Sequence, residues 1–294
     1  MMGQRGHVLG GVCTGLMLLG LAFEAVAGVS VVGSLDRLHV VDPGEVIRGE
    51  IEIQNTLDEK ALVRVEVRDQ WIDAQAKAQY PPAGSHARSL ADYIQLMPPE
   101  QTIEPRARAR VGFEVKLPTL AERPELAGAY WAVLMVRHEA MEPFEDLAKK
   151  DQWVIRQRFQ TAVRITTAVR GQASTALLFQ SPLLQVSRDP DQSPDPMFSF
   201  EAHNKGERLL DVALVGELFS AQGASLGRTV LGQFKIYPGS HRRIEWALAK
   251  EALQKPGDRA EALVMATPAS WMPHAERFGV RFDLHWGPNV ARNP

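Results

Sequence analysis

The sequence predicts an all-β protein of two tandem antiparallel sandwiches. Three observations carry that prediction. Nearly every periodic run alternates apolar and polar residues, the pattern of strands with one buried and one wet face. Turn residues separate the runs, leaving strands too short and too numerous for anything but packed sheets. One strand pattern is also written twice, as VIRGEIEIQNTLDEKALVRVEVRDQWIDAQ (46–75) and MFSFEAHNKGERLLDVALVGELFSAQ (197–222). Each copy is an alternating strand ending at an asparagine (Asn55, Asn204), then a polar turn and a longer alternating strand. A Pro-marked strand opening follows each copy, within 96–115 and 234–248. A repeat of this length denotes tandem domains rather than one large core. It points to scaffolding or binding rather than to chemistry.

The 294 residues suit two domains, and 45% hydrophobic residues suffice for two cores. A net charge of −2 provides no global field for nucleic acid or anionic membranes, so neither is expected as a partner. Residues 1–27 read as a cleavable signal peptide. Arg5 supplies the positive start, Val8 to Phe23 the apolar stretch, and Ala25-Val26-Ala27 the small-residue cleavage site. The apolar run falls short of the roughly 20 residues needed to span a bilayer, so no stable membrane insertion is expected after cleavage. Cys13 lies inside this leader and is the only cysteine. The mature chain therefore has no disulfide, thiolate nucleophile or cysteine zinc site.

The elements follow in order. Leu35 to Val41 is a short first strand, closed by the Pro43-Gly44 turn. Glu45 to Gln54 points Val46, Ile51 and Ile53 inward, and Leu62 to Trp71 sets Val63, Val65 and Val67 against Arg64, Glu66 and Arg68. Residues 73–88 are polar, small and rich in Pro and Gly, and read as a long loop. Tyr93 to Met97 is a short apolar strand ended by Pro98-Pro99, and Arg106 to Leu117 alternates arginine with apolar residues. Gly128 to His138 is almost continuously apolar, as befits a central strand covered on both faces. The charged segment 139–151 breaks the pattern, and Trp153 to Arg170 reads as one long strand.

Gly171 marks the boundary between domains 28–170 and 171–294, and a glycine there predicts freedom between them. In the second domain, Leu177 to Val186 opens the strands and 188–196 is a loop. Further strands fall near 197–204, 209–219, 229–236, 241–248, 260–267 and 277–286. Residues 247–255 suit a helical turn or two, and the tail GPNVARNP is expected to fray.

Four segments, in order, resemble the PapD-like periplasmic pilus chaperones, proteins of two immunoglobulin-like domains. They are SLDRLHVVDPGEVIRGEIEIQN (34–55), YIQLMPPEQTIEPRARARVGF (93–113), AYWAVLMVRHEAMEP (129–143) and the long strand 153–170. The resemblance implies two immunoglobulin-like sandwiches and a role in pilus assembly by β-augmentation. In that family the chaperone lends an apolar strand to an incomplete subunit. The strand's N–H and C=O groups complete the subunit's ladder, and alternate side chains fill its grooves. Trp153, Ile155 and Phe159 fall where the donor strand lies, although Gln157 interrupts their face. The same residues also suit a face packed on the protein's own core.

The family also anchors the subunit's C-terminal carboxylate with two basic residues between the domains. Arg164 stands where the family has lysine. The second position falls on His39, with Arg37 two residues earlier on the same face. The resemblance thus implies a periplasmic protein that binds pilin-like subunits, with an outer-membrane usher as a further candidate partner. TTAVRG (166–171) departs from the family's apolar-aromatic stretch and Arg-Pro, which places the chain among divergent relatives.

Other constellations are weaker. The eight histidines show no metal-ligand spacing, and neither a nucleophile elbow nor a phosphate loop occurs. No cofactor or metal is expected. Asp189, Asp191 and Asp195 miss the calcium-loop register, because Ser193 and Pro194 take its fifth and sixth positions. Gly-Ser-His recurs at 84–86 and 239–241, a turn pattern that also leaves open a hydrolase with a scattered triad around Ser85 or Ser240. Arg106, Arg108 and Arg110 form a basic strand face suited to deterring edge aggregation. Trp71, Trp131 and Trp246 lie in strands and are read as core. The sequence therefore favours a non-enzymatic periplasmic chaperone, with a structural or adhesive surface module as the alternative.

Overall fold

The computed structural model describes residues 28–139, 160–185, 196–249, 259–270, 272 and 277–285. The leader (1–27), the donor-strand residues Trp153, Ile155 and Phe159, the loop aspartates 189, 191 and 195, most of the expected helical turn and the tail lie outside them.

The chain forms strands throughout. The first half holds β1 (Val29–Val32), β2 (Asp36–Val41), β3 (Val46–Asn55), β4 (Ala61–Arg68), β5 (Trp71–Ile72), β6 (Ala78–Gln79), β7 (Ile94–Met97), β8 (Glu100–Ile103), β9 (Arg108–Lys116), β10 (Gly128–Glu139) and β11 (Gln160–Val169). The second half holds β12 (Leu177–Gln185), β13 (Met197–Asn204), β14 (Leu210–Ser220), β15 (Ser225–Ile236), β16 (His241–Ala247), β17 (Arg259–Pro268) and β18 (Phe278–His285).

In the first half a sheet of order β1-β3-β9-β7 faces one of order β2-β11-β10-β4-β8. In the second, β12-β13-β16 faces β15-β14-β17-β18. Neighbouring strands run antiparallel, except that β2 runs parallel to β11. These are two immunoglobulin-like β-sandwiches in tandem.

The alternation in the sequence becomes the two cores. Ile51 and Ile53 on β3, Val111, Phe113 and Val115 on β9, Val63 and Val65 on β4, and Val163 and Ile165 on β11 interdigitate in the first. Phe198 and Phe200 on β13, Val212 and Leu214 on β14, Ile244 and Trp246 on β16, and Phe282 on β18 fill the second. Burying one such side chain contributes about 1.5–3 kcal/mol.

The duplicated asparagines do the same work twice. Asn55 Nδ2 donates to the carbonyls of Glu59 (2.7 Å), Ile103 (3.1 Å) and Glu104 (3.1 Å), and its Oδ1 accepts from Leu57 N (2.9 Å). Asn204 Nδ2 donates to Arg208 O (2.7 Å) and Ile236 O (2.8 Å), and its Oδ1 accepts from Gly206 N (2.9 Å). Each side chain closes its own turn and ties it to the strand before the marked proline, Pro105 or Pro238. The carboxamide supplies partners that buried backbone cannot do without.

Several elements differ from the sequence expectation. β1 and β8 are short edge strands whose few residues give too little alternation to read. Ile94–Met97 and Glu100–Ile103 flank the prolines but join different sheets. β15 begins at Ser225 rather than near 229, because both faces of its first six residues are exposed and carry no apolar period. The expected loop 73–88 contains β6, which pairs with β5 just before it. Leu248 and Ala249, where the helical turn was expected to begin, are not helical.

Segment 70–86 lies over the outer face of β10, where Ile72 packs against the Ala129–Trp131 cluster and His86 stacks on Trp131. Ser89 bridges to Trp131, and the Trp131 indole N–H donates to Gln70 O (2.9 Å). This second cover explains the continuous apolar run of β10, whose Ala129, Trp131, Val133 and Met135 are buried as well as the inward set. Trp71 departs from its expected core position. It is 37% exposed and sets its ring edge-on to His86.

Candidate partner-binding site at the domain junction

The two sandwiches meet on the outer face of β10. Ala129, Trp131, Leu209 and Tyr237 form a small third core, with Leu38 and Ile72 packed against it. Trp131 stacks on His86 (ring centroids 4.4 Å) and tilts against Tyr237 (4.7 Å). Backbone bonds fasten the junction, from Ala129 N to Glu207 O (2.8 Å) and from Arg243 N to Ala74 O (2.9 Å). Arg88 ion-pairs with Glu207 (3.0 Å), and Arg208 Nη2 donates to Gly171 O (2.9 Å). Gly171 was expected to loosen the domains. In the fold it packs closely, since a Cβ there would lie 2.9 Å from Ala127 Cβ. Its missing side chain lets the linker pack closely.

β11 carries Arg164 into this junction. β2 pairs with β11 in register Asp36↔Arg164, Leu38↔Thr166 and Val40↔Ala168, so these residues share one face. The Arg164 Nε donates to Gln70 Oε1 (2.5 Å), its Nη1 lies 3.7 Å from Asp36 Oδ2, and its guanidinium sits over the Tyr237 ring (5.4 Å). Thr166 and Tyr237 share a hydroxyl–hydroxyl bond (3.0 Å). From β15 of the second sandwich, Lys235 Nζ reaches the same Asp36 Oδ2 at 2.6 Å. One carboxylate oxygen therefore lies between a cation from each sandwich.

The electrostatics follow from burial and these neighbours. Burial opposes the Lys235 charge, but the Asp36 hydrogen bond and the charges of Asp36, Tyr237 and Asp211 outweigh it and raise its pKa. Burial pushes the Tyr237 phenol up, against the opposing pull of Arg164. Burial lowers the Arg242 pKa; Asp73 opposes that and Arg164 adds to it. Arg242 Nη1 is buried without a hydrogen-bond partner.

Arg37 and His39 occupy the other pleat of β2, paired with Ile165 and Thr167. Arg37 donates to Glu50 O (2.5 Å) and Ser34 O (3.4 Å), with its guanidinium 6.0 Å from the Phe113 ring centre. His39 turns toward the first core. Burial, then the Arg37 charge, lowers its pKa, and its buried Nε2 has no hydrogen-bond partner. Neither joins Arg164, because the period of two that places them together places both on the opposite face. The cations that do gather around Arg164 are Lys235 and Arg242. Period two within FKIYPG held a signal for Lys235: Ile236 enters the core, so Lys235 and Tyr237 point away from it.

The edge of β11 is the second component. β10 pairs with it along Gln160–Val169, whereas β2 pairs only from Arg164 onward. Arg164 N donates to Leu35 O (2.8 Å), so its backbone groups face β2. Alternation turns those of Ala162 and Gln160 to the same side. Among the described residues no strand pairs with them there.

The remaining candidates resolve into structural roles. Ser85 Oγ donates to Pro82 O (2.5 Å) and Ser240 Oγ to Tyr237 O (2.7 Å), both within turns. Buried Asp69 accepts from Ser85 N (2.5 Å) and Ser89 Oγ (2.6 Å), with His86 Nε2 3.7 Å away. Neither expected serine bonds to an imidazole. Arg106, Arg108 and Arg110 pair with Asp58, Glu52 and Glu50, so the basic stripe is largely neutralised. Among the described residues, no three His, Cys, Asp or Glu side chains gather to hold a metal. No described helix is long and apolar enough to cross a membrane.

No protein-family model and no curated protein matches the sequence. Solved structures do match. A chain of the chaperone–tip adhesin complex of CFA/I fimbriae biogenesis shares 8% identity at a TM-score of 0.47, over 87% of this chain and 98% of its own. The class 5 fimbriae chaperone CfaA shares 8% at 0.45 over the same shares. The Salmonella enterica complex of SafA pilin with the SafB chaperone shares 11% at 0.41, over 86% and 96%. The chain is thus similar, across most of its length, to chaperones and chaperone complexes of fimbriae.

Proposed function

We propose that the protein is an exported periplasmic chaperone that captures incomplete pilin-like subunits by lending them a strand, and so assists fimbrial assembly. The observation that carries this reading is the edge of β11 at Gln160–Val163, which no described strand pairs on the β2 side, directly N-terminal to Arg164 in a junction rich in cations. A partner strand laid along that edge gains the backbone N–H and C=O groups of Gln160 and Ala162. The segment holding Trp153, Ile155 and Phe159 precedes it and would supply apolar plugs. Arg164 is half-buried and would offer its guanidinium to a carboxylate, a charge-assisted bond that specifies the end of a chain. An outer-membrane usher would receive the captured subunit.

The test is a pull-down from the cell envelope followed by mass spectrometry, with wild type and Arg164→Ala compared. The variant is expected to keep its circular dichroism spectrum and to lose short pilin-like subunits. Equal recovery of subunits by both would exclude the anchoring role. Absence of any subunit from both would leave a static two-sandwich module.

A further inference from the structure

Asp36 reaches cations of both sandwiches through a single oxygen. Its Oδ2 lies 2.6 Å from Lys235 Nζ on β15 and 3.7 Å from Arg164 Nη1 on β11, while its Oδ1 is buried and accepts no hydrogen bond. The Arg164 contact is too long for a hydrogen bond. The guanidinium is therefore held by Gln70 and by the ring and hydroxyl of Tyr237. Arg242 brings a third cation, with its own unused buried Nη1. Asp73 is the acid that acts on Arg242. The group holds a carboxylate already, supplied by the chain itself.

We propose that Asp36 is an internal stand-in for the partner's terminal carboxylate, and that Lys235 of the second sandwich is the second anchoring cation in place of Arg37 or His39. This rests on the strand-donation reading above. Capture is then an exchange. The incoming carboxylate takes Lys235 and the side of Arg164 that faces Asp36, and Asp36 gives way. Without a partner, the Asp36–Lys235 bridge clasps the sandwiches together and keeps other anions from the cations. Specificity follows from the cost of displacing Asp36. Only a carboxylate delivered with a strand on the β11 edge has enough additional contact to do it.

The two roles open to Asp36 predict opposite signs. A competitor weakens binding, so Asp36→Asn strengthens capture; an organiser of the cations strengthens binding, so the same change weakens it. The probe is a labelled synthetic peptide of alternating valine and threonine with a free C-terminal carboxylate, set against its C-terminal amide in fluorescence anisotropy. Asp36→Asn is expected to bind the free acid about fivefold more tightly than wild type, the size of one half-exposed ion pair, with the amide unchanged. Lys235→Met is expected to lose most of the acid-over-amide preference.

Weaker acid binding by Asp36→Asn, or a preference unaltered by Lys235→Met, would overturn the proposal. Thermal melts of both variants identify any loss of fold. Should Asp36→Asn prove unstable, the Lys235 ammonium resonance of wild type gives a second readout, expected to shift with the acid and not with the amide. Failure of the underlying reading looks different: Arg164→Ala then leaves binding unchanged, and wild type does not separate acid from amide.

Discussion

Replacing Asn55 by alanine tests whether the duplicated asparagine pattern is a folding device. The side chain is fully buried and joins one donor and three acceptors of the backbone. Its two hydrogens serve three carbonyls, so about three effective bonds are lost. The Ile103 carbonyl is bonded in a buried setting, whereas Glu59 and Glu104 are only part-buried and can turn to water. One orphaned buried group costs about 1–3 kcal/mol and each replaceable bond nearer 0.5–1. The expected loss is about 3 kcal/mol. Asn55→Asp is expected to cost at least as much, because it turns a carboxylate oxygen toward those carbonyls. Urea unfolding followed by tryptophan fluorescence measures this as a fall in midpoint at constant slope. A loss below about 1 kcal/mol would show that water replaces the carboxamide freely and would refute the reasoning. Asn204→Ala should produce a similar loss in the second sandwich, where Asn204 makes the matching bonds.

Other outcomes follow from the junction. Gly128 has φ +111°, and a Cβ there would meet Glu207 O at 2.5 Å, so Gly128→Ala is expected to cost about 2 kcal/mol or more; differential scanning calorimetry checks it. Trp131→Ala removes a buried indole between His86 and Tyr237 and should cost about 3–5 kcal/mol by chemical unfolding. His86 is lowered by burial, with Asp69 opposing, and His39 by burial and then Arg37. A histidine whose folded pKa lies below its unfolded value binds its proton more readily when unfolded. Stability is then complete above the unfolded pKa of about 6.5 and declines as pH falls through it. Urea midpoints should drop between pH 7.5 and 5.5, and His86→Gln with His39→Gln should flatten that slope.

The sequence by itself determined the all-β class, the tandem arrangement and most strand positions. Period two is a local property, and a sheet with one buried face imposes it residue by residue. It also marked Asn55 and Asn204 as equivalent, because the same turn needs the same carboxamide. Edge strands β1 and β8 left no such trace, since a few residues on a rim need little alternation. Arg164 was legible from its place in the strand order. Its companions were not. Arg37 and His39 lie close to it in the pattern, but the parallel register of β2 on β11 turns them to the opposite face. Lys235, far away in the chain, is brought to Asp36 by the docking of two sandwiches through Trp131 and Tyr237. Alternation specifies a face within a strand. Which faces meet across the junction depends on register and packing, and those exist only once both cores have formed.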